Sequence, residues 1–85
     1  MRIDKFLKVS RLVKRRSIAQ ELLDAGRVCI NDKVVKKSAT VSVNDMILLK
    51  YGSDDSSRHV KVKVVKLLDK VSKEEAVTMY EVEGG

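Results

Sequence analysis

The sequence predicts an α+β fold, and two patterns support this prediction. Apolar residues recur at helical spacing between residues 3 and 25, and short β-prone runs separated by turn residues follow between residues 28 and 65. With 85 residues, the chain has room for one small domain. We therefore expect a single domain over 1–85, with two N-terminal helices, a small antiparallel sheet and a short C-terminal helix.

The first helix is predicted to begin at Asp4, whose carboxylate can accept the free N–H groups of a first turn. It is predicted to end near Arg11 or Leu12. On a helical wheel the apolar and basic side chains separate onto two faces. The apolar face holds Ile3, Phe6, Leu7 and Val9, and the basic face holds Lys5, Lys8 and Arg11. We expect the apolar face to pack and the basic face to remain in solvent, followed by a basic turn at 14–16.

Capping patterns predict two more helices. Ser17 with Gln20 marks the start of a helix over 18–25, which Gly26 ends. Ser72 with Glu75 marks the start of a short helix from 73 to about 79. The tail beyond it is expected to be loose.

Short apolar or alternating runs between turn residues predict the strands. The extended segments expected are 28–30, 34–35, 40–43, 46–49 and 59–65, the last being half-buried because Lys and Val alternate. Asn31-Asp32 and Asn44-Asp45 are predicted turns, since Asn tolerates positive φ. A C-terminal strand and short helix are thus expected over 58–80, after a polar loop at 52–57.

Positive charge is concentrated at the N-terminus. Residues 1–16 hold seven basic side chains against Asp4 alone, whereas residues 17–85 hold eleven of each sign, so the whole net charge of +6 lies in the first segment. A concentrated cationic surface attracts polyanions, and nucleic acid is the commonest polyanion in a cell. The alternative is a solvated basic face that has no partner.

Composition also indicates which nucleic acid would be bound. Three aromatic residues are too few to stack several unpaired bases, so folded, double-helical or junction RNA read by its shape is favoured. Residues spaced by three on the first helix present charges about 4.5 Å apart along its axis, within reach of successive phosphates. The basic residues Lys33, Lys36 and Lys37 after the first hairpin turn extend this surface.

No set of residues indicates catalysis or a cofactor. His59 is the single histidine and is expected to face solvent beside Lys61, while Cys29 has the surroundings of a small buried hydrophobe. Asp54 and Asp55 lack a third metal ligand, so no metal site is expected. There is no signal-peptide core and no apolar run near the ~20 residues that span a bilayer, so we expect a cytoplasmic protein without membrane contact.

The first half of the chain resembles the S4 RNA-binding domain. The residues that carry the resemblance are 1–7 (MRIDKFL), Arg11, 14–17 (KRRS), Ala19, 26–28 (GRV), Ile30, Asn31, Val34, Lys37, Asp45 and Ile47. The family usually has Gly where this chain has Asp32 and Asn44. The resemblance implies an S4-like core over about 1–50, in which two helices pack on a small curved sheet and RNA binds across the helices and the first hairpin.

The resemblance implies RNA contacts at seven positions, and the charge pattern adds Lys8 and Lys14. The predicted RNA-binding residues are Arg2, Lys5, Lys8, Arg11, Lys14, Arg15, Arg16, Ser17 and Lys37. Asp4 is expected to be structural, capping the first helix and orienting an arginine.

Within the family, the opening residues and 73–80 (KEEAVTMY) resemble the free-standing RqcP group of ribosome-associated quality control. This implies a non-catalytic monomer that binds rRNA and peptidyl-tRNA on obstructed large ribosomal subunits and supports RqcH-dependent alanine tailing. Two alternatives remain open. One is an S4-type ribosome-binding heat-shock or subunit-recycling factor, and the other is a basic protein–protein adaptor.

Overall fold

The computed structural model describes residues 1–51 and 58–83, and within them the chain forms three helices and five strands. The helices are α1 (Ile3–Val9), α2 (Arg16–Asp24) and α3 (Lys73–Ala76), and the strands are β1 (Val28–Ile30), β2 (Lys33–Val34), β3 (Met46–Tyr51), β4 (Arg58–Val64) and β5 (Tyr80–Val82). The predicted α+β class is confirmed. The polar loop, with Asp54 and Asp55, lies outside the described residues.

The strands form one antiparallel sheet in the order β2-β1-β3-β4-β5. The turn between β1 and β2 is at Asn31-Asp32 as predicted, and φ is positive at both residues, 51° and 71°. Two consecutive positive φ values match the twist of a two-residue hairpin, so the turn holds the strands in register.

Both long helices cover the same side of the sheet. One buried cluster joins side chains of the helices to alternate side chains of the strands. Its fully buried members include Ile3, Phe6, Leu7, Ala19, Val28, Ile47, Leu49, Val62, Val64 and Met79. Because the apolar face of α1 is buried here, the basic side chains of α1 are directed to the molecular surface. No helix in the described part of the chain is long and apolar enough to cross a membrane.

The prediction that Asp4 caps α1 is wrong. Arg2 is the N-cap residue, no side chain caps the helix, and Asp4 lies within the first turn. The chain before α1 is held by backbone pairing, in which the Ile3 N–H donates to the Ala39 oxygen and the Val41 N–H to the Met1 oxygen, both at 2.9 Å. Of the extended piece expected at 40–43, only the bridge between Arg2 and Thr40 is formed.

The first helix also ends earlier than predicted, at Val9. Ser10 and Val13 are both buried, and the Val13 N–H donates to the Leu7 oxygen at 3.0 Å. The chain turns through Arg11, which has a φ of 64°. Burial of residues on both sides therefore sets the direction of Arg11, which no longer continues the helical row of cations.

Of the two predictions made for the ends of α2, the one for its start is wrong and the one for its end is confirmed. Arg15 is the N-cap of α2 and makes no side-chain cap bond, so the Ser17–Gln20 capping box is wrong. Gly26 ends α2 in the left-handed region as predicted, with a φ of 72°.

The capping box predicted in the C-terminal region is confirmed, with Ser72 and Glu75 bonding each other's backbone N–H. However, α3 ends at Ala76 rather than near 79. The tail is not loose throughout, because Tyr80–Val82 pairs with β4.

Candidate nucleic-acid interface

Asp4 is a buried acid that lies beside two of the predicted RNA-binding residues. Its side chain is 3% exposed and accepts hydrogen bonds from Arg16 Nε at 3.0 Å, Arg16 Nη2 at 3.3 Å, Gln20 Nε2 at 3.0 Å and the Lys5 N–H at 2.9 Å. Burial by itself raises the pKa of Asp4, but the hydrogen bonds from Arg16, Gln20 and Lys5, with the charge of Arg16, lower it below its usual value. Asp4 therefore remains ionised and joins the first turn of α1 to α2.

This contact determines how Arg16 is presented. The Arg16 side chain is 48% exposed, and its guanidinium meets Asp4 edge-on through two N–H groups. A guanidinium carries five N–H donors in a rigid plane, so three remain available in a fixed orientation. Since Asp4 balances its charge, Arg16 offers directed hydrogen bonds more than net charge. The expectation that Asp4 orients an arginine is met by this geometry.

Lys5 has an acidic partner that the sequence did not predict. Its Nζ lies 2.9 Å from Oδ1 of Asp69, which follows β4, and the two side chains are 40% and 78% exposed. The hydrogen bond and the charge of Lys5 lower the pKa of Asp69. Ion pairs this exposed contribute little to stability, so an incoming phosphate can replace Asp69 at low cost.

Lys8 lies on the same side of α1 as Asp4, because residues four apart share one face of a helix. Its side chain is exposed, and no carboxylate of the described residues pairs with it. Arg2, exposed at the N-cap, lies about 9 Å from Lys8 along the helix axis. We refer to Arg2, Lys5, Lys8 and Arg16 as the α1 cation row.

The turn after β2 lies next to the start of this row. Lys36 and Lys37 are exposed, and the Lys36 oxygen accepts the Ala39 N–H at 2.9 Å. Because the Ala39 oxygen in turn accepts the Ile3 N–H, Lys37 lies within a few residues of the backbone that carries Arg2. The backbone junction thus brings the predicted hairpin lysine to the N-terminal end of the row.

Four predicted residues stand apart from the row. Lys14 and Arg15 are exposed on the link between α1 and α2, and Ser17 is exposed in the first turn of α2. Arg11 is also exposed and lies beyond the C-terminal end of α1. The structure therefore gathers four of the predicted residues along α1 and at the start of α2, adds Lys37 at one end, and leaves the others around them.

Asn31 and Asp45 position the hairpin through a contact that the sequence pattern did not predict. Asn31 Nδ2 donates to Asp45 Oδ1 at 3.1 Å, and Asn31 Oδ1 accepts the Met46 N–H at 3.0 Å. Asp45 Oδ2 also accepts the Ser42 N–H at 2.8 Å. Both residues were predicted in turns and belong to the S4 resemblance, but their contact could not be predicted, because it depends on the pairing of β1 with β3.

The side chains considered for catalysis are placed as expected. His59 is exposed, and Cys29 is 6% exposed and is not bonded to another cysteine. Within residues 1–51 and 58–83, no group of three or more His, Cys, Asp or Glu side chains is arranged to hold a metal ion.

Comparison with known families identifies the N-terminal half. A profile of the S4 domain matches residues 1–47. The chain belongs to the S4 domain family. The RQC P-site tRNA stabilizing factor of Bacillus subtilis strain 168 is 46% identical over 80 residues, which cover 94% of this chain and 88% of that protein. The same-named factor of Streptococcus pneumoniae is 42% identical over 82 residues, covering 96% and 89%. These matches confirm the resemblance in the sequence to the quality-control group.

A solved structure shows the same fold. The structure described as trimeric Heat Shock Protein 15 of Vibrio cholerae superposes with a TM-score of 0.84 at 28% identity, covering 98% of this chain and 81% of that chain. The match therefore spans both the S4-matched residues and the C-terminal strands of this chain.

Proposed function

We propose that this protein is a non-catalytic RNA-binding factor of ribosome-associated quality control. It binds rRNA and peptidyl-tRNA on obstructed large ribosomal subunits in the cytoplasm, as a monomer, and supports RqcH-dependent alanine tailing. The observation that carries the proposal is the α1 cation row, organised by Asp4, in a chain whose relatives are named RQC P-site tRNA stabilizing factor.

Three members of the row have distinct tasks in binding. Arg16 directs hydrogen bonds at a phosphate from a fixed plane, and Lys8 supplies charge that no carboxylate of the described residues neutralises. Lys5 joins them when phosphate replaces Asp69. Contacts of this kind read the course of an RNA backbone rather than its bases, which suits a helical or junction target.

A stabilising role needs binding alone. A factor that binds two RNA partners at once holds them together by the free energy of both contacts, and no bond is made or broken. Lys37 and Arg2 at one end of the row and Arg11 beyond the other provide separate regions for two such partners. The S4 domain and the word "stabilizing" in the relatives' name support this reading.

Binding to purified large subunits that carry peptidyl-tRNA tests the proposal. For about five to seven neutralised phosphates, log K should fall with log[salt] with a slope of roughly −4 to −6. R2A should weaken binding, because it removes one cation of the row. It should leave the fold intact, because Arg2 makes no side-chain cap bond. R16K should also weaken it, because lysine keeps the charge but loses the planar fork.

The matched control is K61A, which removes a cation from β4 between the buried Val62 and half-buried Val60, on the sheet side away from the helices. We expect K61A to bind like the wild type. If R2A, R16K and K61A all bind as the wild type does, the proposed RNA surface is wrong.

The second candidate is an S4-type heat-shock or subunit-recycling factor, which the structural match to Heat Shock Protein 15 favours. Sedimentation on defined particles separates the two. Enrichment on large subunits with peptidyl-tRNA, and loss of alanine tails when the protein is depleted, support the quality-control role. Equal binding to empty subunits, with tailing intact after depletion, supports the second role. Capture of one protein after nuclease treatment would instead indicate an adaptor.

A further inference from the structure

A depression lies where the C-terminal end of α1 meets the segment after β4. Its volume is about 210 Å³, and it is lined by Lys8, Val9, Arg11, Asp69, Lys70 and Val71. Three of the lining side chains are cationic and one is acidic. We refer to it as the α1–C-terminal depression.

Two of the residues that line the depression are apolar. Val9 and Val71 are half-buried and pack against the main core, so their positions are fixed by the fold. Neither valine can neutralise a neighbouring cation, so the charge that an anion meets here is set by Lys8, Arg11 and Lys70 against Asp69. The left-handed conformation of Arg11, with its φ of 64°, directs the chain out of the helix at this rim.

The single carboxylate at the rim is already engaged. Asp69 Oδ1 forms an ion pair with Lys5 Nζ at a distance of 2.9 Å. Lys8, Arg11 and Lys70 have no carboxylate within ion-pair distance in residues 1–51 and 58–83. The depression therefore presents three cations that form no ion pair within the described residues, beside the Lys5–Asp69 pair.

We propose that the α1–C-terminal depression is a subsite for a backbone phosphate of RNA, in which Lys70 joins Lys8 and Arg11 as a third cation and Asp69 competes with the phosphate for Lys5. This inference rests on the proposed RNA-binding function and extends it to residues outside the matched S4 domain. The segment after β4 thereby supplies Lys70, which binds the phosphate, and Asp69, which a weakly binding, non-specific polyanion must displace from Lys5.

The first test compares two lysines of the same segment. Lys70 lines the depression, whereas Lys66, four residues earlier in the chain, is exposed and does not line it. On purified large subunits we expect K70A to lower affinity about three- to tenfold and to reduce the salt slope by about one. K70E should lower it further, and K66A should stay close to the wild type. Thermal unfolding of each variant verifies that the fold is kept.

The second test concerns the competing anion. D69N should raise affinity for a plain RNA hairpin about two- to fivefold at low salt, because it frees Lys5, and the gain should vanish as salt screens the charges. D24N makes the same change in net charge at an exposed site near the end of α2, and it should have a smaller effect.

The outcomes separate this inference from the proposed function. If K70A equals K66A, or D69N equals D24N, while R2A still weakens binding, the subsite is wrong and the RNA-binding function stands. If R2A, K70A and the wild type all bind alike, the proposed function itself fails.

Discussion

The S4-matched residues 1–47 and the C-terminal residues 58–83 use charged side chains differently. Residues 1–47 carry eleven basic and five acidic side chains, and residues 58–83 carry six and five. In the first region a buried carboxylate, Asp4, fixes Arg16, whereas in the second an exposed carboxylate, Asp69, pairs with Lys5. A buried acid thus builds the cationic surface, and an exposed acid limits access to it.

The largest expected effect tests whether the two regions form one cooperative unit. Phe6 and Met79 are both fully buried in the same core cluster, although they lie in different regions. We expect F6A to lower the free energy of unfolding by about 3–5 kcal/mol and M79A by about 2–5 kcal/mol. Both variants should retain a single transition by circular dichroism and by fluorescence of an added probe.

V82A is the control for these core variants, because Val82 is 64% exposed on the edge strand and its truncation should cost little. Two separate transitions in M79A would contradict the proposal of one domain over the whole chain.

Removing the charge of the buried Asp4 carboxylate should have the next largest effect on the free energy of unfolding. D4N places an uncharged amide against Arg16, so we expect a loss of about 1–3 kcal/mol in the free energy of unfolding. RNA affinity should fall as well, because Arg16 loses its fixed orientation. D24N, on an exposed residue of α2, should change neither quantity appreciably, and an equal loss in D24N would refute the role given to Asp4.

The lowered pKa of Asp4 predicts how the stability of the fold depends on pH. The pKa of Asp4 is lower in the folded protein than its unfolded value of 3.8. The stabilisation is therefore fully present above that unfolded value and is lost as pH falls through the folded pKa. Urea unfolding across this acidic range should show a steeper decline for the wild type than for D4N. Parallel curves would mean that another group is responsible.

Asn31, which bonds to Asp45 and to the Met46 N–H, should contribute less to the free energy of unfolding than Asp4. N31A removes the bonds to Asp45 and to the Met46 N–H, and it places alanine at a positive φ of 51°. We expect a loss of about 1–2 kcal/mol, because the exposed groups recover hydrogen bonds with water. N31G separates the two causes, since glycine relieves the backbone strain and leaves only the loss of the side-chain bonds.

The smallest expected effect on stability comes from breaking the exposed Lys5–Asp69 pair. D69N should leave the unfolding temperature unchanged, because both side chains of the Lys5–Asp69 pair are in contact with solvent. A clear loss of thermal stability would show that Asp69 supports the fold, and the contrast between the two acids would then no longer hold.

The parts of the fold that were predicted correctly depend on neighbours in the chain. Gly26 ends α2 and Asn31 turns the first hairpin because their backbones tolerate positive φ wherever they occur. The Ser72–Glu75 capping box likewise needs only residues three apart. The same local reasoning failed for Asp4 and Gln20, which bond to each other across 16 positions instead of capping their own helices.

The sequence by itself determined that the net charge lies in the first 16 residues, that two amphipathic helices precede a sheet, and that the chain resembles an S4 domain. The tertiary structure decided which cations are oriented by a buried carboxylate, which are paired with an exposed one, and which have no ion pair among the described residues. Arg16 is oriented by an acid 12 residues away and Lys5 is paired with one 64 residues away. Spacing along the chain carries no information about such contacts, because they depend on how helices and strands pack around the shared core.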